Sequence, residues 1–219
     1  MPAAASLFGV PIYTSDVDPI SSKSVDYISN LEFCPMSDTN GFITENVTLL
    51  DDPRCLEIRN KILNAFDDYA YNLLKIKPET EFYLTTSWAV KFVPGGSAHV
   101  HRHVNSLFSG VLYLKAAAEE TGQLTLHKYQ TYLGFSSPTI SLEFTEQNLF
   151  NSSTWSITPI ENHIIIFPSN VMHSVEINNS KDDRISVAFN MFVRGNFGGR
   201  EAALTIKWNI FSNYLQKPK

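Results

Sequence analysis

The chain has 219 residues, 43% hydrophobic and 18% charged, which suits one globular domain with a sizeable core. Its formal net charge is −5 and Lys and Arg form no block, so we expect no nucleic acid partner, because phosphate binding needs clustered basic side chains. Cys34 and Cys55 fit no disulfide framework or zinc motif. Residues 1–13 lack the features of a secretory signal, and no apolar run is long enough to cross a membrane. These three observations predict a cytoplasmic protein.

The first 80 residues predict an N-terminal arm and one long helix. Residues 1–50 carry scattered Ser, Asp, Asn and Pro, which indicates loops and short elements laid over a core. Residues 53–76 have apolar side chains at helical spacing, with Asp52 as the N-cap and Pro53 at the first helical position. We therefore expect residues 1–80 to pack on a core formed by residues 81–212, within one domain that spans residues 1–219.

After residue 80 the hydrophobic pattern becomes that of strands. Strand-like runs occupy 83–92, 99–104, 107–115, 122–127, 139–144, 154–158, 162–167, 170–177, 184–193 and 203–209. The 15 Phe, nine Tyr and three Trp residues suit the space between packed sheets. The pattern predicts a mainly β fold, an antiparallel sandwich or barrel, with flanking helices. The apolar run 204–211 is expected to form an edge strand or a contact in a homodimer.

Three of the six histidines lie within five residues, at His99, His101 and His103. Side chains at positions i and i+2 of a strand share a face, and charged imidazoles held together repel one another unless a metal or an acid binds them. His173, which enters a later strand, would complete a three-ligand site with open coordination positions, as oxygen-activating iron requires. On spacing alone, a solvated strand face is an equally good interpretation.

Residues 184–190 alternate between polar and apolar side chains. Burying Ile185, Val187 and Phe189 in the core places Arg184 and Ser186 together on the opposite face. An Arg facing the inside of a barrel needs an anion, and its planar fork suits a carboxylate, to which a serine hydroxyl adds a hydrogen bond. The more common alternative is a surface Arg paired with a neighbouring acid, Asp182 or Asp183.

Together these motifs resemble the 2-oxoglutarate and Fe(II) dependent oxygenase superfamily, whose pattern is a His-x-acid or His-x-His pair, a later His and then Arg-x-Ser. The runs 7–13, 87–88, 101–114, 166–169, 173–175 and 184–190 look most like uncharacterised oxygenase-like proteins of marine phages and bacteria. The resemblance is strong over residues 83–195 and poor across 128–153. It implies a double-stranded β-helix, which is a cupin-like jelly roll, and an enzyme that hydroxylates an unidentified small-molecule or protein substrate with O2.

The resemblance also assigns residues to cofactors. It implies that His101, His103 and His173 bind Fe(II), and that Arg184 and Ser186 bind the distal carboxylate of the cosubstrate 2-oxoglutarate, with Tyr113 and Asn105 as further contacts. His103 departs from the pattern, since most of the superfamily has Asp or Glu there. A three-histidine site, an acid from elsewhere, and His99 in place of His103 all stay open.

Other functions and the substrate site also stay open. A cupin-type dioxygenase with three histidines and no cosubstrate would explain His103, although Arg184 and Ser186 argue against it. A non-enzymatic jelly-roll binding or structural module, or an oxygenase fold that has lost its metal, would explain the same strands. Trp88 and Lys91 are candidates for the pocket wall, and residues 128–153 for a loop that covers the substrate.

Overall fold

A computed structural model describes residues 9–36, 40–128 and 143–206. Its helices are α1 (Ser22–Ser29) and α2 (Leu56–Asp67), and α2 follows a 3-10 turn at Pro53–Cys55 and continues as a π-helical turn over Asp68–Leu73. Shorter 3-10 turns occupy Leu49–Asp51 and Ala118–Thr121. The strands are β1 (Tyr13–Asp16), β2 (Phe33–Pro35), β3 (Gly41–Thr44), β4 (Glu81–Phe92), β5 (Ala98–His101), β6 (Phe108–Lys115), β7 (Leu124–His127), β8 (Thr154–Ile157), β9 (His163–Pro168), β10 (Met172–Val175), β11 (Arg184–Phe197) and β12 (Leu204–Ile206).

The strands form two antiparallel sheets. The larger has the order β1-β9-β6-β11-β4-β3-β2, with β12 paired to the far end of β11, and the smaller has the order β5-β10-β7-β8. Successive strands β5, β6 and β7 alternate between the sheets, as in a double-stranded β-helix, which confirms the predicted jelly roll. No helix among the described residues is long and apolar enough to span a membrane.

The predicted strands after residue 80 are present wherever the structure describes them, but the predicted helix over 53–76 is divided. Asp52 caps the 3-10 turn, where its carboxylate accepts a hydrogen bond from the Arg54 amide. The predicted strand at 139–144 lies mostly outside the described residues, as does the segment 207–211. Residues 9–50 contain more regular structure than expected, since α1, β1, β2 and β3 all form there and the three strands join the larger sheet.

The larger sheet is buried on both faces. One face packs against α1 and α2, and Val187 and Phe189 of β11 contribute to that core, as the alternation predicts. The other face packs against the smaller sheet, where Tyr113 of β6 and Phe167 of β9 lie. Burial on both sides explains why β9 is apolar at nearly every position. The polar face of β11 therefore points between the two sheets and not into bulk solvent.

Candidate metal centre

The smaller sheet brings two distant histidines face to face. In the pairing of β5 with β10, His173 lies directly opposite His101, so the two side chains share a face. His103 follows the end of β5, where its amide donates a hydrogen bond to the carbonyl of Ser169. One ring nitrogen from each of His101, His103 and His173 lies within 4.8 Å of the other two. The chain thus folds the three predicted ligands into one cluster.

His99 does not join this cluster. An irregularity in the pairing of β5 with β10 lies between the positions of Ala98 and His101, and it breaks the simple alternation that would place His99 beside His101. The backbone carbonyl of His99 instead accepts a hydrogen bond from the Nδ1 atom of His101, at 2.7 Å. Among the described residues, the group that could hold a metal consists of the other three imidazoles.

Two of the three rings use the same nitrogen, Nδ1, for a hydrogen bond to a backbone carbonyl. His101 Nδ1 contacts the His99 carbonyl, and His173 Nδ1 contacts the Val171 carbonyl at 3.0 Å. A carbonyl oxygen only accepts, so both Nδ1 atoms carry hydrogen and both Nε2 atoms keep a lone pair. Fixing the far nitrogen in this way is how proteins orient histidine ligands.

Burial lowers the pKa of two of these rings, His103 and His173. Desolvation lowers the pKa of His173 to about 3, and it also lowers the pKa of His103, against the hydrogen bond to Asn190, which raises it. A neutral imidazole is the form that binds a metal. His103 and His173 are therefore in the form that binds a metal at neutral pH.

Asn190 is a site residue that the sequence analysis did not select. Its Oδ1 atom lies 2.6 Å from His103 Nδ1, and the Ser109 hydroxyl donates to the same oxygen at 2.7 Å. The alternation of β11 places Asn190 on the polar face with Arg184 and Ser186. This shared position on the polar face of β11 is the sequence signal that could have identified Asn190 as a site residue.

On the same face of β11, Arg184 and Ser186 line a second polar site with Tyr113. Ser186 lies opposite Tyr113 of β6, and the guanidinium of Arg184 lies 5.1 Å from the centre of the Tyr113 ring. All three residues are at most 2% exposed. Arg184 Nη1 donates to the carbonyl of Gly122 at 2.8 Å. Gly122 has φ +79°, and a Cβ there would lie 2.1 Å from the carbonyl oxygen of Glu176, so only glycine fits this turn.

Two polar atoms of this second site lack hydrogen-bond partners among the described residues. The Tyr113 hydroxyl and the Nε atom of Arg184 are buried with no hydrogen bond among the described residues, and no carboxylate there forms an ion pair with Arg184. The alternative of a surface Arg paired with Asp182 or Asp183 is therefore wrong. Burial lowers the pKa of Arg184 and raises that of Tyr113. A buried guanidinium beside an unpaired phenol is the environment that the end carboxylate of a dicarboxylic acid would satisfy.

The remaining predicted site residues lie in different places. Asn105 is exposed in the turn before β6, with φ +57°. The Trp88 ring lies 5.7 Å from the His103 ring, whereas the Lys91 ammonium lies 4.5 Å from the Phe33 ring, on the helix-covered side of the larger sheet, so Lys91 does not line the site. Trp155, which the sequence analysis did not consider, is 48% exposed on the face of the smaller sheet that carries His173.

Comparison of the sequence with known families gives one match. Residues 86–190 match the sequence model of a family described as "Putative 2OG-Fe(II) oxygenase", and this span contains every predicted ligand and cosubstrate contact. A comparison with curated protein sequences finds no match.

Several solved structures share the fold at low sequence identity. A prolyl 4-hydroxylase from Pseudomonas putida is 14% identical, with a TM-score of 0.56 over 85% of this chain and 94% of the hydroxylase. The α-ketoglutarate-dependent epimerase SnoN of nogalamycin biosynthesis is 10% identical, with a TM-score of 0.57 over 83% of this chain and 78% of SnoN. HygX of Streptomyces hygroscopicus, solved with nickel and 2-oxoglutarate bound, is 10% identical, with a TM-score of 0.53 over 83% and 82% of the two chains.

Proposed function

We infer from the match of residues 86–190 to the family model that this chain is a 2-oxoglutarate and Fe(II) dependent oxygenase. We propose that His101, His103 and His173 bind its iron and that Arg184, Ser186 and Tyr113 bind its cosubstrate. One observation supports this assignment above the others. The same polar face of β11 carries Asn190, which is hydrogen-bonded to the histidine cluster, and Arg184, a buried guanidinium that has no anionic partner among the described residues. A metal chelator with a distal carboxylate would satisfy both ends.

The histidines would hold the metal through their Nε2 atoms, since each Nδ1 atom is occupied by a hydrogen bond. Bound iron supplies the activation of O2 coupled to decarboxylation of 2-oxoglutarate, and the protein supplies orientation and a dry site. Phe167 packs edge-on against the His173 ring, with centroids 4.9 Å apart. This apolar contact fixes the ring and excludes water from the side of the cluster that faces the core.

Arg184 and its neighbours would fix the far end of 2-oxoglutarate. The Gly122 carbonyl holds one nitrogen of the guanidinium, so the fork stays in place while its Nε atom is left for the ligand. The Tyr113 hydroxyl and the Ser186 hydroxyl would donate to the same carboxylate. Asn105 is exposed in the turn before β6, and its contact with the cosubstrate stays a prediction.

Three imidazoles give the metal site one more positive charge than two imidazoles and a carboxylate would. Nitrogen ligands of this kind also suit Zn(II), Cu(II) and Ni(II), which compete with Fe(II) in the usual affinity order. We therefore expect that iron must be loaded anaerobically and in the absence of competing metals. We propose hydroxylation as the reaction, on a small-molecule or protein substrate.

The test is optical. Anaerobic protein loaded with Fe(II) is expected to develop the weak visible charge-transfer band of a metal-bound 2-oxo acid when 2-oxoglutarate is added. His101→Ala, His103→Ala and His173→Ala should abolish the band, whereas His163→Ala, which removes an imidazole paired with Asp16, should retain it. Tight iron binding with oxygen uptake independent of 2-oxoglutarate would favour the cupin-type dioxygenase. Absence of iron binding would favour a non-enzymatic jelly roll.

Further proposals concern the setting of the enzyme. We propose that it works in the cytoplasm, consistent with two unpaired thiols, an exposed Cys34 and a buried Cys55. The homodimer contact stays a prediction, in which exposed Leu204 of β12 takes part. The particular similarity to proteins of marine phages and bacteria also stays a prediction.

A further inference from the structure

We propose that Asn190 is a positioning residue that holds His103 in the tautomer whose Nε2 atom faces the metal. This inference rests on the proposed role of His103 as a ligand. It assigns to Asn190 no contact with the metal or with the substrate. It explains instead how a histidine works at a position where a carboxylate would need no such help.

The three histidines differ in how their Nδ1 atoms are held. His101 and His173 each bond the backbone carbonyl two residues earlier, at His99 and Val171. These two contacts are local, and any residue at position i−2 supplies them. His103 lies beyond the end of β5, and its Nδ1 atom instead meets a side chain 87 residues away, the Asn190 Oδ1 atom at 2.6 Å.

The orientation of the Asn190 amide is set from its other end. Its Nδ2 atom donates to Thr86 Oγ1 on β4 at 2.8 Å, which turns Oδ1 towards His103. The Ser109 hydroxyl donates to Oδ1 at 2.7 Å and also lies 3.1 Å from His103 Nδ1. The Asn190 side chain is 8% exposed, so water does not compete for these bonds. An amide oxygen only accepts, so His103 Nδ1 must carry the hydrogen and Nε2 keeps its lone pair.

The chemistry of the ligand makes this contact necessary. A carboxylate presents lone pairs from either oxygen and has no tautomers, so it can ligate without a fixed partner. A neutral imidazole has one lone pair in the ring plane, and in the wrong tautomer the nitrogen that faces the metal carries hydrogen. Without Asn190, a fraction of the His103 rings would carry the hydrogen on Nε2 and would have to change tautomer before binding a metal. The metal affinity would therefore fall.

The first experiment reads the tautomer directly in the metal-free protein. Long-range ¹H–¹⁵N correlation spectra of ¹⁵N-labelled protein distinguish a hydrogen on Nδ1 from one on Nε2. We expect wild-type His103 to carry hydrogen on Nδ1 and Asn190→Leu to shift it towards Nε2. Asn190→Asp should keep it on Nδ1, because a carboxylate also accepts. Asn196→Leu is the matched control, since it makes the same substitution on β11 at an exposed amide that bonds Thr205 and makes no hydrogen bond with the three clustered histidines among the described residues.

The second experiment measures Ni(II) affinity in the same variants. Loss of a partner that orients a ligand lowers metal affinity about 10- to 100-fold, which we expect for Asn190→Leu, with affinity restored in Asn190→Asp. Hydrogen on Nε2 in the wild type would overturn the proposal, as would unchanged Ni(II) affinity in a folded Asn190→Leu. Should Asn190→Leu fail to fold, the wild-type and Asn190→Asp spectra still decide. The expected tautomers without metal binding would instead count against the metal site itself.

Discussion

Replacing Arg184 with Met would test the cosubstrate site most directly. The side chain is 2% exposed, its Nη1 atom bonds the Gly122 carbonyl, and its Nε atom has no partner among the described residues. Methionine keeps most of the length and removes the charge. The substitution therefore separates the binding of a carboxylate from the packing of the pocket.

The expected effect is large on binding and small on the unliganded fold. Truncating one partner of a buried, hydrogen-bonded charge pair costs about 2–5 kcal/mol, which raises the Kd for 2-oxoglutarate by a factor of about 30 to several thousand. In the unliganded protein, the lost bond to Gly122 and the relief of an unpaired buried charge oppose each other. We expect the free energy of unfolding without ligand to change by less than about 2 kcal/mol.

The assay is chemical unfolding of the Ni(II)-loaded protein in the presence and absence of 2-oxoglutarate. At 100 times the wild-type Kd, the ligand should stabilise the wild type by about 2.7 kcal/mol, whereas a hundredfold weaker variant should gain about 0.4 kcal/mol. Arg184→Lys should fall between them, because it keeps the charge and loses the fork. Arg54→Met is the control, since it removes an exposed guanidinium paired with Asp52. Full stabilisation of Arg184→Met by 2-oxoglutarate would refute the assignment.

Three further outcomes are expected. Tyr113→Phe removes a buried hydroxyl that has no hydrogen-bond partner among the described residues. The unliganded variant should therefore be at least as stable as the wild type, while its affinity for 2-oxoglutarate falls about tenfold. A less stable variant with unchanged affinity in the unfolding assay would contradict this. His103→Asp should retain Ni(II) binding in titrations where His103→Ala loses it, and equal loss in both would exclude this position as a ligand. Burial raises the pKa of Cys55 to about 11. A thiol reagent at pH 8 should therefore modify the exposed Cys34 rapidly and Cys55 only after unfolding. Rapid modification of both cysteines in the folded protein would contradict this.

Local patterns in the sequence determined most of the core. The alternation of residues 184–190 predicted which side chains of β11 meet the helices and that Arg184 and Ser186 share the opposite face, because strand geometry has a fixed period of two. It left open whether that face is buried. The apolar spacing of residues 53–76 predicted a helix on the core, and its division into 3-10, α and π turns was missed. The His-x-His pair and His173 predicted a cluster that the fold assembles.

Contacts between distant segments decided the rest. The short helix α1 has few apolar residues, and its local signal is the Ser21 N-cap, whose hydroxyl accepts from the Ser24 amide. Glu57 of α2 adds a distant contact, since its carboxylate accepts from the Ser21 amide and hydroxyl. The partner of His103 is likewise an amide 87 residues away. The sequence by itself determined which residue types could bind a metal and a carboxylate. Only the tertiary structure decided which ring nitrogen of His103 is hydrogen-bonded and that Arg184 forms no ion pair among the described residues, because both depend on which strands lie side by side.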